Sequence, residues 1–184
     1  FFESLDRLGT DYVDLYLIHW PAEGWQRAWE QLEQLYAERR VRAIGVSNFH
    51  RHHLEELRSF SDMTPAVDQI ESSPQFPNQE LIDWDRSIGI TPEAWSPLGG
   101  TGGNLLKNDI VAGIAAKYGK SPAQTILRWH LQRGVVVIPK STHAERIREN
   151  FDVFDFELSA SDMEALSNLG INTRHGSDPD NFNF

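Results

Sequence analysis

Cysteine is absent from the 184 residues, which excludes disulfide frameworks, thiolate nucleophiles and cysteine-based zinc sites together. The absence suits a reducing compartment, and the cytoplasm is the expected location. Positive charge is scarce: 17 Lys and Arg stand against 27 Asp and Glu, giving a net charge of -10 and a pI near 5.1. Nucleic acid and acidic membranes are therefore not expected as partners, because both need a basic surface against phosphates. Any anionic ligand must instead meet a local basic cluster. No apolar run approaches the roughly 20 residues that cross a bilayer, so a membrane protein is not expected either. The opening Phe1 to Gly9 shows neither an initiator Met nor the layout of a signal peptide.

What is present reads as globular, with 40% hydrophobic and 24% charged residues in a length suited to one domain, residues 1–184. Phe1, Leu5 and Leu8 share one face of a helix that ends at Gly9 with no capping residue before it, so the sequence is expected to start inside a helix. Short apolar runs and helical patterns then alternate. Strands are predicted at Tyr12 to His19, Arg42 to Ser47, Val67 to Glu71, Ile90 to Trp95 and Val135 to Ile138. Between them fall helices over Trp25 to Arg40 and His52 to Ser59, one opening at Asn78, and one near Ile110 to Tyr118.

Ser121-Pro122-Ala123-Gln124 combines a capping box with Pro at the first helical position, and Thr142 to Glu145 offers a second capping box. Ser159 to Asp162 opens a last helix, followed by a polar tail, Thr173 to Phe184, expected to be mobile.

Strands separated by helices imply parallel pairing and an α/β class. Roughly five such strands fit the length, as an open doubly wound sheet or as part of an eight-stranded (β/α)8 TIM barrel. The polar residues favour the barrel. His19, Ser47, Gln69 with Glu71, Trp95 with Ser96, and Lys140 with Ser141 all fall at C-terminal strand ends, where barrel enzymes build their sites. Neither GxGxxG nor a P-loop occurs.

The segments Leu15-Tyr16-Leu17-Ile18-His19-Trp20-Pro21, Ile44-Gly45-Val46-Ser47-Asn48-Phe49, Gln69-Ile70-Glu71, Trp95-Ser96-Pro97-Leu98 and Ile138-Pro139-Lys140-Ser141 resemble the aldo-keto reductases, in order and over essentially the whole chain. The likeness is greatest to the bacterial 2,5-diketogluconate-reductase-like branch. It implies NADPH-dependent reduction of a small carbonyl compound by a barrel that is monomeric at full length. His19 is then the histidine beside the substrate carbonyl, and Trp20 walls the substrate pocket. Ser47, Asn48 and Gln69 hold the nicotinamide carboxamide, on which Trp95 stacks. Ser96 and Leu98 are further cofactor contacts. Lys140, Ser141 and Arg146 meet the 2'-phosphate, while Glu149 and Asn150 touch adenine. Plainer roles stand beside these: a satisfied core histidine for His19, packing under the following loop for Trp20, core packing for Trp95, turn capping for Ser47-Asn48, an exposed pair for Arg146 and Glu149. The glycine-rich stretch Gly99 to Gly103 serves as a phosphate loop or as a connector, and its glycines are not counted among the contacts.

One departure matters. The family also uses a tyrosine acid with a lysine and an aspartate from the first half of the barrel, and no tyrosine here is placed to substitute. Tyr16 is three residues from His19 and faces the opposite side of its strand, and Tyr12 lies at the strand's wrong end. Ser73 stands where relatives often carry histidine and receives no role. The expectation is an incomplete barrel, roughly strands 4 to 8, whose first and last strands are exposed edges. Such a piece binds cofactor weakly and is inactive by itself. The rival reading is a non-catalytic, cofactor-binding regulatory or structural member of the same fold.

Overall fold

The computed structural model describes residues 1–100, 104–170 and 173–181. Helices and parallel strands alternate along the chain, as the apolar runs predict. In order they are α1 Phe2–Leu8, β1 Val13–Ile18, α2 Trp25–Ala37, β2 Val41–Ser47, α3 Arg51–Phe60, β3 Val67–Glu71, α4 Gln79–Ser87, β4 Thr91–Trp95, α5 Asp109–Tyr118, α6 Pro122–Gln132, β5 Val136–Val137, α7 Ala144–Phe151 and α8 Ala160–Ser167. Single turns of 3-10 helix lie at Leu105–Lys107 and Pro179–Asn181. The strands form one sheet in the order β1-β2-β3-β4-β5, which leaves β1 and β5 at its edges.

The chain divides into two compact units. The first comprises Phe1–Gln69, Asp83–Thr91 and Pro179–Phe184. Its core forms because the apolar faces of α2 and α3 coincide with the helix-facing positions of β2: Trp25, Trp29, Leu32, Leu54 and Leu57 are buried with Val41, Ile44 and Val46. β1 pairs with β2 so that Val13 faces Val41 and Ile18 faces Val46. Tyr16 packs edge-on against Phe1, 5.2 Å between ring centroids, which places it on the helix side of β1. Gly45 sits where β2 runs closest to its neighbours. A Cβ there would lie 2.6 Å from the Val67 carbonyl oxygen and 2.7 Å from Leu17 Cδ2, so only glycine fits this strand position.

The second unit, Ile70–Ile82 with Pro92–Asp178, packs α5, α6 and α8 around Val111, Ile114, Ile126, Trp129 and Leu166. Ile70, Ile82, Ala94 and Val135 make a smaller core beside β4 and β5. The capping box at the start of α6 forms as predicted, Ser121 Oγ accepting the Gln124 amide and Gln124 Oε1 the Ser121 amide.

Several expectations need correction. α7 begins at Ala144 with His143 at its N-cap and no side-chain cap. Ser141 Oγ takes the His143 amide in a local turn, and this turn leaves Thr142 ahead of the helix. α2 stops at Ala37, before Arg39 enters left-handed backbone at φ 59°. The last strand is two residues long rather than four, with Val136 and Ile138 exposed, because an edge strand buries only alternate side chains. Leu8 is also exposed although it shares the spacing of buried Leu5. No helix among the described residues is long and apolar enough to cross a membrane.

Candidate functional site

In the first unit the C-terminal ends of β1, β2 and β3 are laced together by side chains of the expected site. Ser47 Oγ donates to the Gln69 carbonyl at 2.8 Å. Asn48 Nδ2 donates to the His19 carbonyl at 3.0 Å and to Ser47 Oγ at 3.0 Å. Asn48 adopts left-handed backbone at φ 64°, a conformation asparagine tolerates better than most residues, and this lets its own amide reach the Gln69 carbonyl at 2.9 Å. Ser47 and Asn48 are buried. The plainer capping role for Ser47-Asn48 is therefore real, and the same bonds fix where β1 releases the chain at His19. The His19 ring is exposed and stands beside Trp20, 6.1 Å between centroids.

Behind this strand end, Asp68 and Asp85 are fully buried. None of their four carboxyl oxygens has a hydrogen bond of full geometry among the described residues. Burial pushes the Asp85 carboxyl up to about 8. Asp68 is also raised, by burial and then by the neighbouring Asp85, with the Phe49 amide opposing. Asp68 lies next to Gln69 on β3, so two groups that prefer to be neutral sit directly behind an expected site residue.

The second unit gathers another group of expected residues. Ser96, Leu98, Lys140, Ser141, Arg146, Glu149 and Asn150 line one cavity of about 720 Å³, together with residues that include Gly100 and Ser121. Ser96 turns the chain out of β4 in left-handed backbone at φ 50°, a strained conformation for serine. Lys140 and Arg146 are the cations on this wall, and both are exposed. Gly99 and Gly100 have positive φ, while residues 101–103 of the glycine-rich stretch lie outside the described residues.

Trp95 is partly covered by the tail. A Cβ on Gly176 would lie 2.3 Å from Trp95 Cη2. The tail follows this path because buried Glu71 accepts the His175 amide at 2.7 Å and the Gly176 amide at 3.1 Å. The expectation of a mobile tail is thus corrected for its described part, residues 173–181. Residues 182–184 lie outside the described residues. Glu71 went unassigned in the sequence because its partners, two main-chain amides and the Arg174 guanidinium at 3.9 Å, lie more than 100 positions away, which no motif encodes. Gly176→Ala is expected to displace this segment from Trp95 while leaving the fold intact. Quenching and emission wavelength of Trp95, read against a Trp95→Phe background, would report the displacement, and an unchanged spectrum would count against it.

None of the four tyrosines stands at a strand's C-terminal end. Tyr12 lies under Arg42 at 4.5 Å, Tyr16 packs on Phe1, Tyr36 is exposed on α2, and Tyr118 donates to Asp162 at 2.7 Å. Ser73 is buried in a tight turn, exchanging backbone bonds with Phe76.

Comparison with known proteins agrees in sequence and in structure. The profile described as "Aldo/keto reductase family" matches residues 1–171. The oxidoreductase YtbE of Bacillus subtilis is 53% identical over 98% of this chain and 64% of its own length. A glyoxal reductase of the same organism is 50% identical over 100% of the chain and 66% of its own length. A crystal structure of a Gox0644 variant in complex with NADPH superposes with a TM-score of 0.94 at 40% identity, covering 99% of this chain and 68% of that one. The chain therefore spans slightly less than two thirds of the length of these curated relatives.

Proposed function

The chain belongs to the aldo/keto reductase family, and from that membership we propose that the whole protein reduces aldehydes or ketones to alcohols with NADPH. Small sugar-derived or keto compounds are its substrate class, in the manner of the diketogluconate-reductase-like branch. A relative that is a glyoxal reductase supports a small dicarbonyl-type substrate.

The observation that carries the reading is the cavity of the second unit. Seven residues expected to hold cofactor, four from two of the sequence signatures and three from the helix that follows, line one space of about 720 Å³. Its donor set suits a phosphorylated adenosine. Lys140 and Arg146 supply the only kind of charge that holds a 2'-phosphate on an otherwise acidic protein, and Ser96 and Ser141 add hydroxyl donors. Glu149 and Asn150, on the same helical stretch, are assigned to adenine.

Trp95 is assigned to stacking, and the Ser47, Asn48 and Gln69 side chains to the carboxamide; the lacing fixes Ser47 and Asn48 against each other and against the Gln69 main-chain carbonyl. When bound, the nicotinamide supplies a hydride to the carbonyl carbon. The His19 ring then donates a hydrogen bond to the carbonyl oxygen, on which negative charge grows, and Trp20 walls the substrate. The alkoxide still needs a proton. Because no tyrosine of residues 1–184 stands at the C-terminal end of a strand, the reading assigns the proton donor to residues outside this set, in a complete (β/α)8 barrel. The 184 residues alone bind cofactor but do not turn over.

Fluorescence titration of the 184-residue chain with NADPH and NADH tests this. Lys140→Met and Arg146→Ala are each expected to weaken NADPH by about 10- to 100-fold, the loss of one charge-assisted phosphate contact, and NADH by much less. Equal losses for both cofactors would sink the 2'-phosphate assignment. Carbonyl reduction by the 184 residues alone would overturn the assignment of the proton donor.

A further inference from the structure

Within the first unit, three imidazoles converge on one carboxylate. His50 is the N-cap of α3, and His52 and His53 lie in its first turn. Asp180 sits in the turn Pro179–Asn181. Their ligand-capable atoms all lie within 4.8 Å of one another. Asp180 is the hub: one carboxylate oxygen is 3.0 Å from His50 Nδ1, and the other is 3.1 Å from His52 Nε2 and 3.6 Å from His53 Nε2.

We propose that His50, His52 and Asp180 form a binding site for a late first-row divalent cation of the zinc or nickel type, with His53 as the residue that orients Asp180. Imidazole nitrogen with a single carboxylate is the ligand set these ions favour, whereas calcium and magnesium favour all-oxygen sites. The spacing agrees. Two ligands at about 2.1 Å from a tetrahedral ion stand about 3.4 Å apart, so the pairs at 3.0 and 3.1 Å need to open by only a few tenths of an ångström. His52 and Asp180 are 59% and 43% exposed, which leaves the remaining coordination position to water.

His53 has a different part, set by its hydrogen bonds. Its Nδ1 accepts the His50 amide at 3.0 Å, so in the neutral ring the proton is on Nε2, the atom that faces Asp180. It acts as a donor that aims the carboxylate, the arrangement that second-shell partners take around bound metals. Buried Leu54 and Leu57 anchor the helix that carries the rings. They hold the three side chains in place while Asp180 arrives from 130 positions away in sequence. A bound ion would clip the turn Pro179–Asn181 onto the start of α3.

The test is calorimetric titration of the metal-free chain with Zn²⁺, with Co²⁺ absorption as a second readout, neither of which depends on enzymatic activity. One ion per chain is expected. His52→Ala and Asp180→Asn should each weaken Zn²⁺ binding at least tenfold with an unchanged circular dichroism spectrum. His53→Gln can accept the same amide and donate to the same carboxylate, so it should stay within about threefold of wild type. A wild-type affinity no greater than that of the His52→Ala, Asp180→Asn double variant overturns the site. A loss in His53→Gln as large as in His52→Ala overturns the division of roles. Should a variant fail to fold, the wild-type Co²⁺ spectrum still decides, since a visible ligand-field band saturating at one equivalent supports the site and its absence refutes it.

Discussion

Gly45→Val is expected to destabilise the first unit by about 3 kcal/mol or more, the upper range for overpacking. The magnitude follows from which atoms are in the way. Leu17 Cδ2, 2.7 Å from the added Cβ, belongs to a side chain that can rotate, but the Val67 carbonyl at 2.6 Å is backbone of β3. That strand is held in register with β2 through Val46 opposite Asp68 and Ser47 opposite Gln69. Moving it would break the bonds that Ser47 and Asn48 make to Gln69, so a fold that survived would still lose the ordered end of β1. Chemical denaturation followed by tryptophan emission measures this, since Trp25 and Trp29 are buried in the same unit. Gly113 is the control: a Cβ there meets nothing within 4 Å, and Gly113→Ala in α5 should stabilise slightly. Equal stability for Gly45→Val and wild type would contradict the close approach.

Asp85→Asn is expected to raise stability at pH 9 and to flatten the dependence of stability on pH. The Asp85 carboxyl is pushed up to about 8 by burial, against about 3.9 in an unfolded chain. A raised carboxyl is neutral in the fold while the unfolded chain ionises. Its favourable contribution is therefore complete below about pH 4 and is lost as pH rises towards 8. Each pH unit in that window is worth up to about 1.4 kcal/mol, so several kcal/mol separate the two ends. Asparagine carries no charge to bury, and it removes the Coulombic effect of Asp85 on Asp68. Denaturation midpoints of wild type should fall between pH 5 and pH 9, and those of the variant should change far less. Parallel curves for the two proteins would mean that the Asp68 and Asp85 pair does not govern this window.

Local chemistry made much of the architecture readable. β-branched runs marked all five strands, helical spacing placed Trp25, Trp29 and Leu32 in a core, and Ser121 with Gln124 announced a cap that forms as written. Thr142 misled because a capping pattern competes with the turn that Ser141 makes two residues on. Hydrogen-bond preferences alone do not say which of two adjacent hydroxyls prevails. For the site, the sequence marked Ser96 and Lys140 at strand ends and Arg146 on the helix that follows, and the three line one cavity. The contacts that escaped notice share a physical origin, namely long sequence separation. Asp180 meets His50 across 130 positions, Glu71 meets His175 across 104, and Asp68 meets Asp85 only once α4 has folded back. A pattern search sees neighbours along the chain, and these groups become neighbours only through the fold.

The Glu71 clasp has a consequence for redesign of the protein. Glu71 grips the main-chain amides of His175 and Gly176 and stands 3.9 Å from the Arg174 guanidinium, so two of its three tail contacts are indifferent to side-chain identity, while a side chain at position 176 would run into Trp95. The main-chain part of the clasp therefore tolerates a change of side chain at His175, whereas Arg174, Gly176 and Asp180 are the fixed points of any redesign of the tail.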